Sequence, residues 1–241
     1  MKESGRKKTG LSPKQMFKPG NMLYPLPAVL VSVGDMKGES NLFTAAWTGT
    51  VCTNPPMLYI SVRPERYSYG LLRETGEFVV NLTTEVLARA VDYCGVRSGR
   101  DTDKWKDTGL TRGAAEKVKA PLVQECPVNL ECRVVKVEEL GSHHMFLASV
   151  ESVDVDEALL DHKGTLHLDQ AGLLAYSHGR YYGLGAARGS FGFSVRKHGP
   201  SDDIKETRRA EKGKRRISPA GAAEGKGSAR HAKKIRRKGA K

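Results

Sequence analysis

The order of apolar and polar positions near the start of the chain predicts a β-hairpin. The run Pro25–Val33 is apolar and β-branched, with prolines only at its beginning, where a strand tolerates a missing N–H donor. Gly34–Gly38 has the composition of a turn, and Asn41–Thr48 supplies the returning strand. A further apolar run, Met57–Val62, indicates a buried strand.

Alternation further along predicts a second, longer hairpin. From Val128 to Val134 apolar and polar residues alternate with the period of two that is typical of a half-buried strand. The alternation slips by one residue at Val134–Val135, which predicts a β-bulge. Gly141–Ser142 then turns the chain into Met145–Val155, the partner strand.

Two short helices are predicted between these hairpins. Ser68 can cap a helix over Tyr69–Thr75, and Gly76 ends it. The second helix is indicated by helical spacing of Leu87, Ala90, Val91 and Cys94, with Thr83 or Thr84 as its cap and Gly95 as its stop. Residues 96–105 follow as a polar surface loop that ends in Trp105, whose indole we expect to be exposed.

The charge of the chain is concentrated at its two ends. The 241 residues carry a formal net charge of +13, but residues 201–241 hold 15 Lys and Arg against 5 Asp and Glu, and residues 1–20 hold 6 against 1. We therefore expect a flexible basic segment over 1–20, a folded domain over 21–197 and a disordered Lys/Arg-rich tail over 198–241. The tail either contacts nucleic acid non-specifically through residues 201–241 or solubilises the protein.

The cysteines indicate reduced thiols and no metal site. Cys52, Cys94, Cys126 and Cys132 show neither paired spacing nor histidine partners at zinc-finger intervals. The chain has no run of 18 apolar residues, so we expect no membrane span and a cytoplasmic location.

Residues 40–81 have the composition of a ligand cradle. A helix start at Ser68, just after Arg63 and Arg66, is suited to binding phosphate; the alternative is an ordinary capped surface helix with solvated arginines. Small residues around Trp47 leave backbone polar groups open beside an indole that can lie against a flat ring. A phosphate at one end and a flat heterocycle at the other describe a mononucleotide.

Several motifs in this cradle carry a family resemblance. They are Trp47-Thr48-Gly49, Cys52–Pro56, Ser61–Pro64, Arg66-Tyr67-Ser68 and Phe78–Leu82. Over residues 20 to 190 the chain resembles the flavin reductase-like family, and most closely its flavoredoxin branch. The resemblance implies a mainly β fold, an FMN-binding split β-barrel of Greek-key type with a few flanking helices. It also implies that Leu173–Gly185 closes the barrel.

The resemblance further implies which residues bind FMN. Residues toward the ring and ribityl chain would be Ala46, Trp47, Thr48, Gly49, Cys52, Thr53 and Asn54, and residues toward the phosphate would be Arg63, Tyr67, Ser68 and Asn81. Ser98, Lys104 and Trp105 would contact the flavin from the neighbouring subunit or support the loop that does. Cys52 is either a redox thiol or a small packing residue.

His143 is the one catalytic candidate that the resemblance suggests. It lies where the family places a histidine near the flavin face that the nicotinamide approaches. The alternative is a solvated histidine in a hairpin turn.

Three functions remain open from the sequence. The first is an FMN-dependent NAD(P)H oxidoreductase that acts as a homodimer and passes electrons to free flavin, a ferric complex, a disulfide or a partner protein. The second is an FMN-containing electron carrier that does not use NAD(P)H directly. The third is a nucleic-acid-associated protein that acts through its tail. Gly183-Leu184-Gly185 is not a dinucleotide fingerprint, because Arg188 replaces the last glycine and no βαβ unit surrounds it.

Overall fold

The computed structural model describes residues 12–196. Its strands are β1 (Leu26–Pro27), β2 (Val29–Gly34), β3 (Ser40–Ala45), β4 (Thr48–Thr53), β5 (Pro56–Val62), β6 (Glu77–Leu82), β7 (Arg112–Gly113), β8 (Leu122–Val123), β9 (Val128–Leu140), β10 (His143–Val155), β11 (Leu174–Ser177) and β12 (Arg180–Gly183). Its α-helices are α1 (Tyr67–Thr75), α2 (Ala88–Val96) and α3 (Lys104–Thr108). The fold is therefore mainly β, as predicted.

A seven-stranded antiparallel sheet in the order β3-β2-β6-β9-β10-β5-β4 forms the body of the molecule. Both predicted hairpins are present, as β2 with β3 and as β9 with β10. Lys136 pairs with Leu147 and Val134 with Ala148, so Val135 is left out of the ladder. The slip in the hydrophobic pattern thus predicted the bulge correctly.

The inner face of this sheet packs one apolar cluster. Val31, Ile60, Phe78 and Phe146 are fully buried in it, and Leu72 of α1 packs against them. Burial of a side chain of this size contributes about 1.5–3 kcal/mol. The core therefore holds β5 and α1 in fixed positions. The end of β5 and the start of α1 border the candidate site described below.

A second cluster joins the small sheet β1-β11-β12 to α2 and α3. Leu30, Val91, Cys94 and Leu174 are buried in it. Tyr176 and Tyr181 pack against its edge. The predicted closing segment is thus a hairpin of two short strands that pairs with β1.

The predicted start of the first helix was wrong. Helix α1 begins at Tyr67 with Arg66 as its N-cap residue and without a side-chain cap. The Ser68 hydroxyl instead lies in the interior, where it accepts a hydrogen bond from Asn41 Nδ2 at 2.8 Å. Gly76 ends the helix in the left-handed conformation, as predicted.

Helix α2 differs from the prediction at both ends. Thr84 is the N-cap residue of a 3₁₀ turn, Glu85–Leu87, that leads into α2, but its side chain makes no capping hydrogen bond. Gly95 lies inside the helix and does not end it. A glycine is favoured there because the helix packs closely against Thr44, and an added Cβ would lie 3.3 Å from the Thr44 Cβ. Close packing, and not chain termination, accounts for this glycine.

The expected exposure of Trp105 was also wrong. Asp103 caps α3 by accepting from the backbone N–H groups of Trp105 and Lys106. The short helix turns the indole inward, so Trp105 is only 7% exposed and belongs to the second cluster. The loop is anchored from inside the molecule.

The described residues up to Ala186 form one compact unit, and those from Ala187 belong to a second. The predicted basic tail, and with it the predicted nucleic-acid contact, lies outside the described residues, as does most of the predicted N-terminal basic segment. Within residues 12–196 no helix is long and apolar enough to cross a membrane. In the same residues no three His, Cys, Asp or Glu side chains are grouped to hold a metal ion.

Candidate functional site

A main cavity of about 650 Å³ lies where several strand ends meet. Its walls come from the β3–β4 connection, the end of β5, the start of α1, the end of α2, the β9–β10 turn and the β11–β12 hairpin. The lining residues are Asn21, Ala28, Phe43, Thr44, Ala45, Ala46, Trp47, Ser61, Val62, Arg63, Arg66, Asp92, Gly95, Val96, Ser142, His143, Tyr176, Gly179 and Tyr181. The volume falls within the range of small-molecule and cofactor sites.

Trp47 and His143 form a stacked pair at this cavity. Their ring centroids are 6.1 Å apart and their planes differ by 13°. The backbone carbonyl of Trp47 accepts a hydrogen bond of 2.8 Å from the Ser61 N–H, which holds the backbone at Trp47 against β5. Two parallel aromatic faces thus border a partly open cavity.

The His143 imidazole has an electropositive surrounding. Burial lowers the pKa of His143, and the positive charge of Arg63 lowers it further. Its Nδ1 lies 3.0 Å from the Ser142 hydroxyl. The ring is therefore neutral at neutral pH, and can offer an uncharged flat surface with one donor and one acceptor nitrogen.

A tyrosine and a carboxylate also line the main cavity. The Tyr181 hydroxyl donates to Asp92 Oδ1 at 3.3 Å. Burial, and then the negative charge of Asp92, raise the pKa of Tyr181 to about 12. The phenol therefore stays protonated and remains a hydrogen-bond donor at neutral pH.

A smaller basic cavity of about 220 Å³ adjoins the main cavity. The two share Phe43, Arg66 and Val96 as lining residues. The charged residues of the basic cavity are Arg66, Arg97, Arg100 and Lys104 against Glu65 alone. Helix α1 begins there, so its N-terminal N–H groups add to the positive potential.

Two arginines of the basic cavity are held by backbone carbonyls. Arg66 Nη1 donates to the Gly95 carbonyl at 2.9 Å and so connects the start of α1 to the end of α2. Arg100 Nη1 donates to the Glu65 carbonyl at 3.0 Å. Each guanidinium has further N–H groups, because five are present and one is used in these bonds.

Lys104 anchors the floor of the basic cavity. It is 2% exposed, and its Nζ donates to the carbonyls of Leu42 and Cys94, both at 2.8 Å. Burial lowers the pKa of Lys104 to about 8. The amine thus links β3 to α2 and has two of its three donors already engaged.

The structure brings together only part of the predicted flavin-binding set. Ala46, Trp47, Arg63 and the catalytic candidate His143 line the main cavity, and Tyr67, Ser68, Ser98 and Lys104 line the basic one. Thr48, Gly49, Cys52, Thr53, Asn54, Asn81 and Trp105 line neither. The Thr48 hydroxyl donates to the Tyr59 carbonyl, and residues 49–54 belong to the β4–β5 hairpin at the sheet edge.

Asn81 lies in the sheet interior instead of at the cavity. It is fully buried, and its side-chain amide donates to the Leu30 carbonyl at 3.0 Å. Its Oδ1 accepts from the Val123 N–H and from Asn129 Nδ2. All its hydrogen-bonding capacity is used to hold strands and a loop together, so we leave Asn81 out of the proposed site.

Several cavity residues were not in the predicted set. Arg97 and Arg100 flank Ser98-Gly99, and this clustering of basic residues around a Ser-Gly pair was the signal available in the sequence. Asp92, Tyr176 and Tyr181 come from elements far apart in the chain. No local pattern marks them as neighbours.

Residues 21–185 match the family model described as flavin reductase like domain. The chain belongs to this family. Its fold is therefore the FMN-binding split barrel, as the resemblance implied.

Solved structures of similar proteins agree with this assignment. The flavoredoxin of Desulfovibrio vulgaris (Miyazaki F) superimposes with a TM-score of 0.71 at 28% identity, covering 76% of this chain and all of that one. The flavoredoxin from Methanosarcina acetivorans gives 0.68 at 27% identity, covering 77% and 100%. An FMN-binding protein from Thermus thermophilus, with bound 1-cyclohex-2-enone, gives 0.61 at 26% identity, covering 75% and 98%.

The two adjoining cavities of this flavin reductase-like domain match the two ends of FMN in their chemistry. The main cavity has Trp47, Tyr176 and Tyr181 in its lining, and such aromatic side chains suit a flat heterocycle. The basic cavity has three more cations than carboxylates, which suits a phosphate. The cationic end and the aromatic end share a border at Arg66.

Proposed function

We propose that this chain binds FMN with its ring system in the main cavity and its phosphate in the basic cavity. Arg66, Arg97 and Arg100 would hold the phosphate, together with the first N–H groups of α1. Trp47 and the backbone of Ala46 would border the ring. The observation that carries this proposal is that an aromatic cavity and a cationic one lie side by side and share Phe43, Arg66 and Val96 in their linings.

We further propose an oxidoreductase activity, in which electrons pass from NAD(P)H to free flavin, a ferric complex or a partner protein. A bound flavin supplies two-electron redox chemistry, and the protein supplies position and electrostatics. The neutral His143 ring and Trp47 would form the surface against which a nicotinamide packs. The Tyr181 hydroxyl, whose proton is donated to Asp92, would accept a hydrogen bond from a ligand in the cavity.

Anaerobic mixing with a pyridine nucleotide tests this activity. We expect NADH or NADPH to bleach the visible flavin absorption of the FMN-loaded protein at a rate proportional to protein concentration. Free FMN at the same concentration, with no protein, is the control.

A flavin that stays oxidised with both nucleotides, yet is reduced by dithionite, would contradict the use of NAD(P)H. That result would favour the alternative function, an FMN-containing electron carrier that does not use NAD(P)H directly. Bleaching that is no faster than in free FMN would contradict catalysis by the protein.

We also propose that the protein acts as a homodimer. Val51 of β4, Val135 and Leu140 of β9, and Val153 of β10 are each between 51% and 56% exposed on the large sheet, and a second copy of the chain would cover them. Sedimentation equilibrium of the full chain is expected to give twice the mass of 26.4 kDa. A single-chain mass at micromolar concentration would contradict the proposal.

A further inference from the structure

A partly buried polar contact joins helix α1 to the start of strand β10. The hydroxyl oxygen of Tyr69 on α1 lies 2.8 Å from Nδ1 of His144, the second residue of β10. Their rings meet edge to face, with centroids 5.4 Å apart and planes at 77°. The His144 side chain is only 16% exposed. A hydrogen bond in such a place is screened less by water than one at the surface.

The Tyr69 ring is held in place by the first apolar cluster. It packs against that cluster and meets the fully buried Phe146 edge to face, with ring centroids 5.7 Å apart. The packing of the ring sets the direction of its hydroxyl, and a buried tyrosine hydroxyl usually has a partner. His144 is that partner.

His144 also has a carboxylate within reach on the neighbouring strand. It pairs with Glu139 of β9, whose Oε1 lies 4.0 Å from the same Nδ1. The Glu139 side chain is 71% exposed, and its distance is beyond that of a hydrogen bond. The Tyr69 hydroxyl is therefore the group that engages Nδ1, which leaves the ring proton of a neutral imidazole on Nε2.

His144 is the direct neighbour of the catalytic candidate His143. Successive side chains of a strand point to opposite faces. His143 lines the main cavity and stacks on Trp47, whereas Tyr69 and His144 line neither the main nor the basic cavity. Tyr69 and His144 can therefore affect a ligand only through the backbone of β10 and the residues next to it.

From this geometry we propose that Tyr69 and His144 are positioning residues for the ring end of the site, the part formed by Trp47 and His143. The Tyr69 hydroxyl donates to His144 Nδ1 and holds the start of β10 against α1. This fixes the His143 ring and, through their stacking, the Trp47 indole. The inference rests on the proposed flavin function. A side chain of the helix that would bind the phosphate thus acts on the other end of the ligand.

Fluorescence titration of full-length Tyr69→Phe with FMN and riboflavin tests the proposal. Phenylalanine keeps the ring packing and removes the hydroxyl. We expect the affinities for both flavins to fall by the same factor, about threefold to tenfold, the equivalent of one neutral hydrogen bond. Arg66→Ala, three residues earlier in the chain, is expected to weaken chiefly FMN, because Arg66 would contact the phosphate.

Substitutions of His144 separate the hydrogen bond from packing. His144→Leu removes the acceptor and is expected to weaken both flavins as much as Tyr69→Phe does. His144→Asn is expected to restore most of the affinity, because its amide oxygen can accept from the Tyr69 hydroxyl in place of Nδ1. Tyr69→Phe and His144→Leu together are expected to cost no more than either alone, since both remove the same bond.

Tyr93→Phe is the matched control. It also removes a tyrosine hydroxyl that makes a hydrogen bond, in this case to Asp107 Oδ2 at 2.6 Å. Tyr93 lines neither the main nor the basic cavity. Tyr93→Phe is expected to leave the affinities for both flavins within about twofold of the wild type.

NMR of the chain labelled with ¹⁵N in its histidine rings gives a readout without any flavin. The chain has seven histidines, and the variant His143→Gln identifies the His143 signal by its loss. We expect Tyr69→Phe to shift the ring signals of both His144 and His143. Tyr93→Phe is expected to leave both signals in place.

Each contrary result has a distinct meaning. Unchanged affinity for both flavins, or an unshifted His143 signal in Tyr69→Phe, would overturn the positioning role while the FMN function stands. A loss confined to FMN would show that Tyr69 acts on the phosphate end and would also overturn it. A wild type that binds no flavin would overturn the proposed function and, with it, any role of Tyr69 and His144 in flavin binding.

Discussion

Replacing Arg66 with alanine is expected to weaken FMN binding by about 10- to 100-fold, the equivalent of one charge-assisted hydrogen bond of about 1.5–3 kcal/mol. Arg66 lines both the main and the basic cavity, and its guanidinium is held by the Gly95 carbonyl. Riboflavin lacks the phosphate, so its affinity is expected to change much less. Fluorescence titration with the two flavins measures both effects.

Arg73→Ala is the control for this prediction, because Arg73 is exposed at the other end of the same helix. An equal loss of FMN and riboflavin affinity in Arg66→Ala would mean that Arg66 acts by positioning α2. Unchanged FMN affinity would remove Arg66 from the phosphate site.

Lys104→Met is expected to lower the free energy of unfolding by about 2–4 kcal/mol, because it leaves two carbonyls without their donor. Those carbonyls belong to Leu42 and Cys94, which are buried in the second cluster. Methionine has similar length and no polar group, so the variant removes the hydrogen bonds and keeps most of the packing. Urea unfolding of both proteins at neutral pH gives the difference.

The pH dependence of the free energy of unfolding, compared between the wild type and Lys104→Met, gives a second test of the role of Lys104. Burial holds the pKa of Lys104 at about 8 in the folded state, whereas an unfolded lysine titrates near ~10.4. Between these values the unfolded chain binds more protons, so Lys104 makes stability rise as the pH increases through this window. The advantage of the wild type over Lys104→Met is therefore expected to grow from pH 8 to about pH 10.

The opposite pattern would change the role of this residue. If Lys104→Met kept its stability and lost FMN, Lys104 would be a direct flavin ligand, as the family resemblance implied. If the difference in stability did not change with pH, the amine would titrate normally and would not be buried as the structure shows.

The strand pattern was predictable because it depends on neighbouring residues. The alternation from Val128 to Val134 reports directly which side of β9 is buried, and its slip marks the bulge at Val135. The hairpin of β2 and β3 followed from an apolar run and a turn next to each other in the chain. Local order was enough in both cases.

Contacts between distant segments were not predictable in the same way. Serine is a common helix cap, but the Ser68 hydroxyl is buried and accepts a hydrogen bond from Asn41, 27 residues earlier in the chain. Helix α3 has only five residues, too few for a pattern to show that Trp105 and Lys104 face inward. The amide of Asn81 is satisfied by Leu30, Val123 and Asn129, which only the folded sheet brings together.

The candidate site was predicted in its chemistry and only partly in its residues. The aromatic and cationic ends are both present, but Cys52 and Asn54 lie on the β4–β5 hairpin and line none of the cavities. Arg97 and Arg100 take a place in the basic cavity because α2 ends there. A binding motif shows what a segment can contact, whereas the packing of helices decides what it does contact.

Equilibrium titration of FMN into the purified full chain tests the central claim most directly. The adjoining aromatic and cationic cavities predict quenching of flavin fluorescence that saturates at one FMN per chain, with riboflavin bound at least about tenfold more weakly because it lacks the phosphate. Fluorescence that stays that of free FMN at every protein concentration would contradict the account.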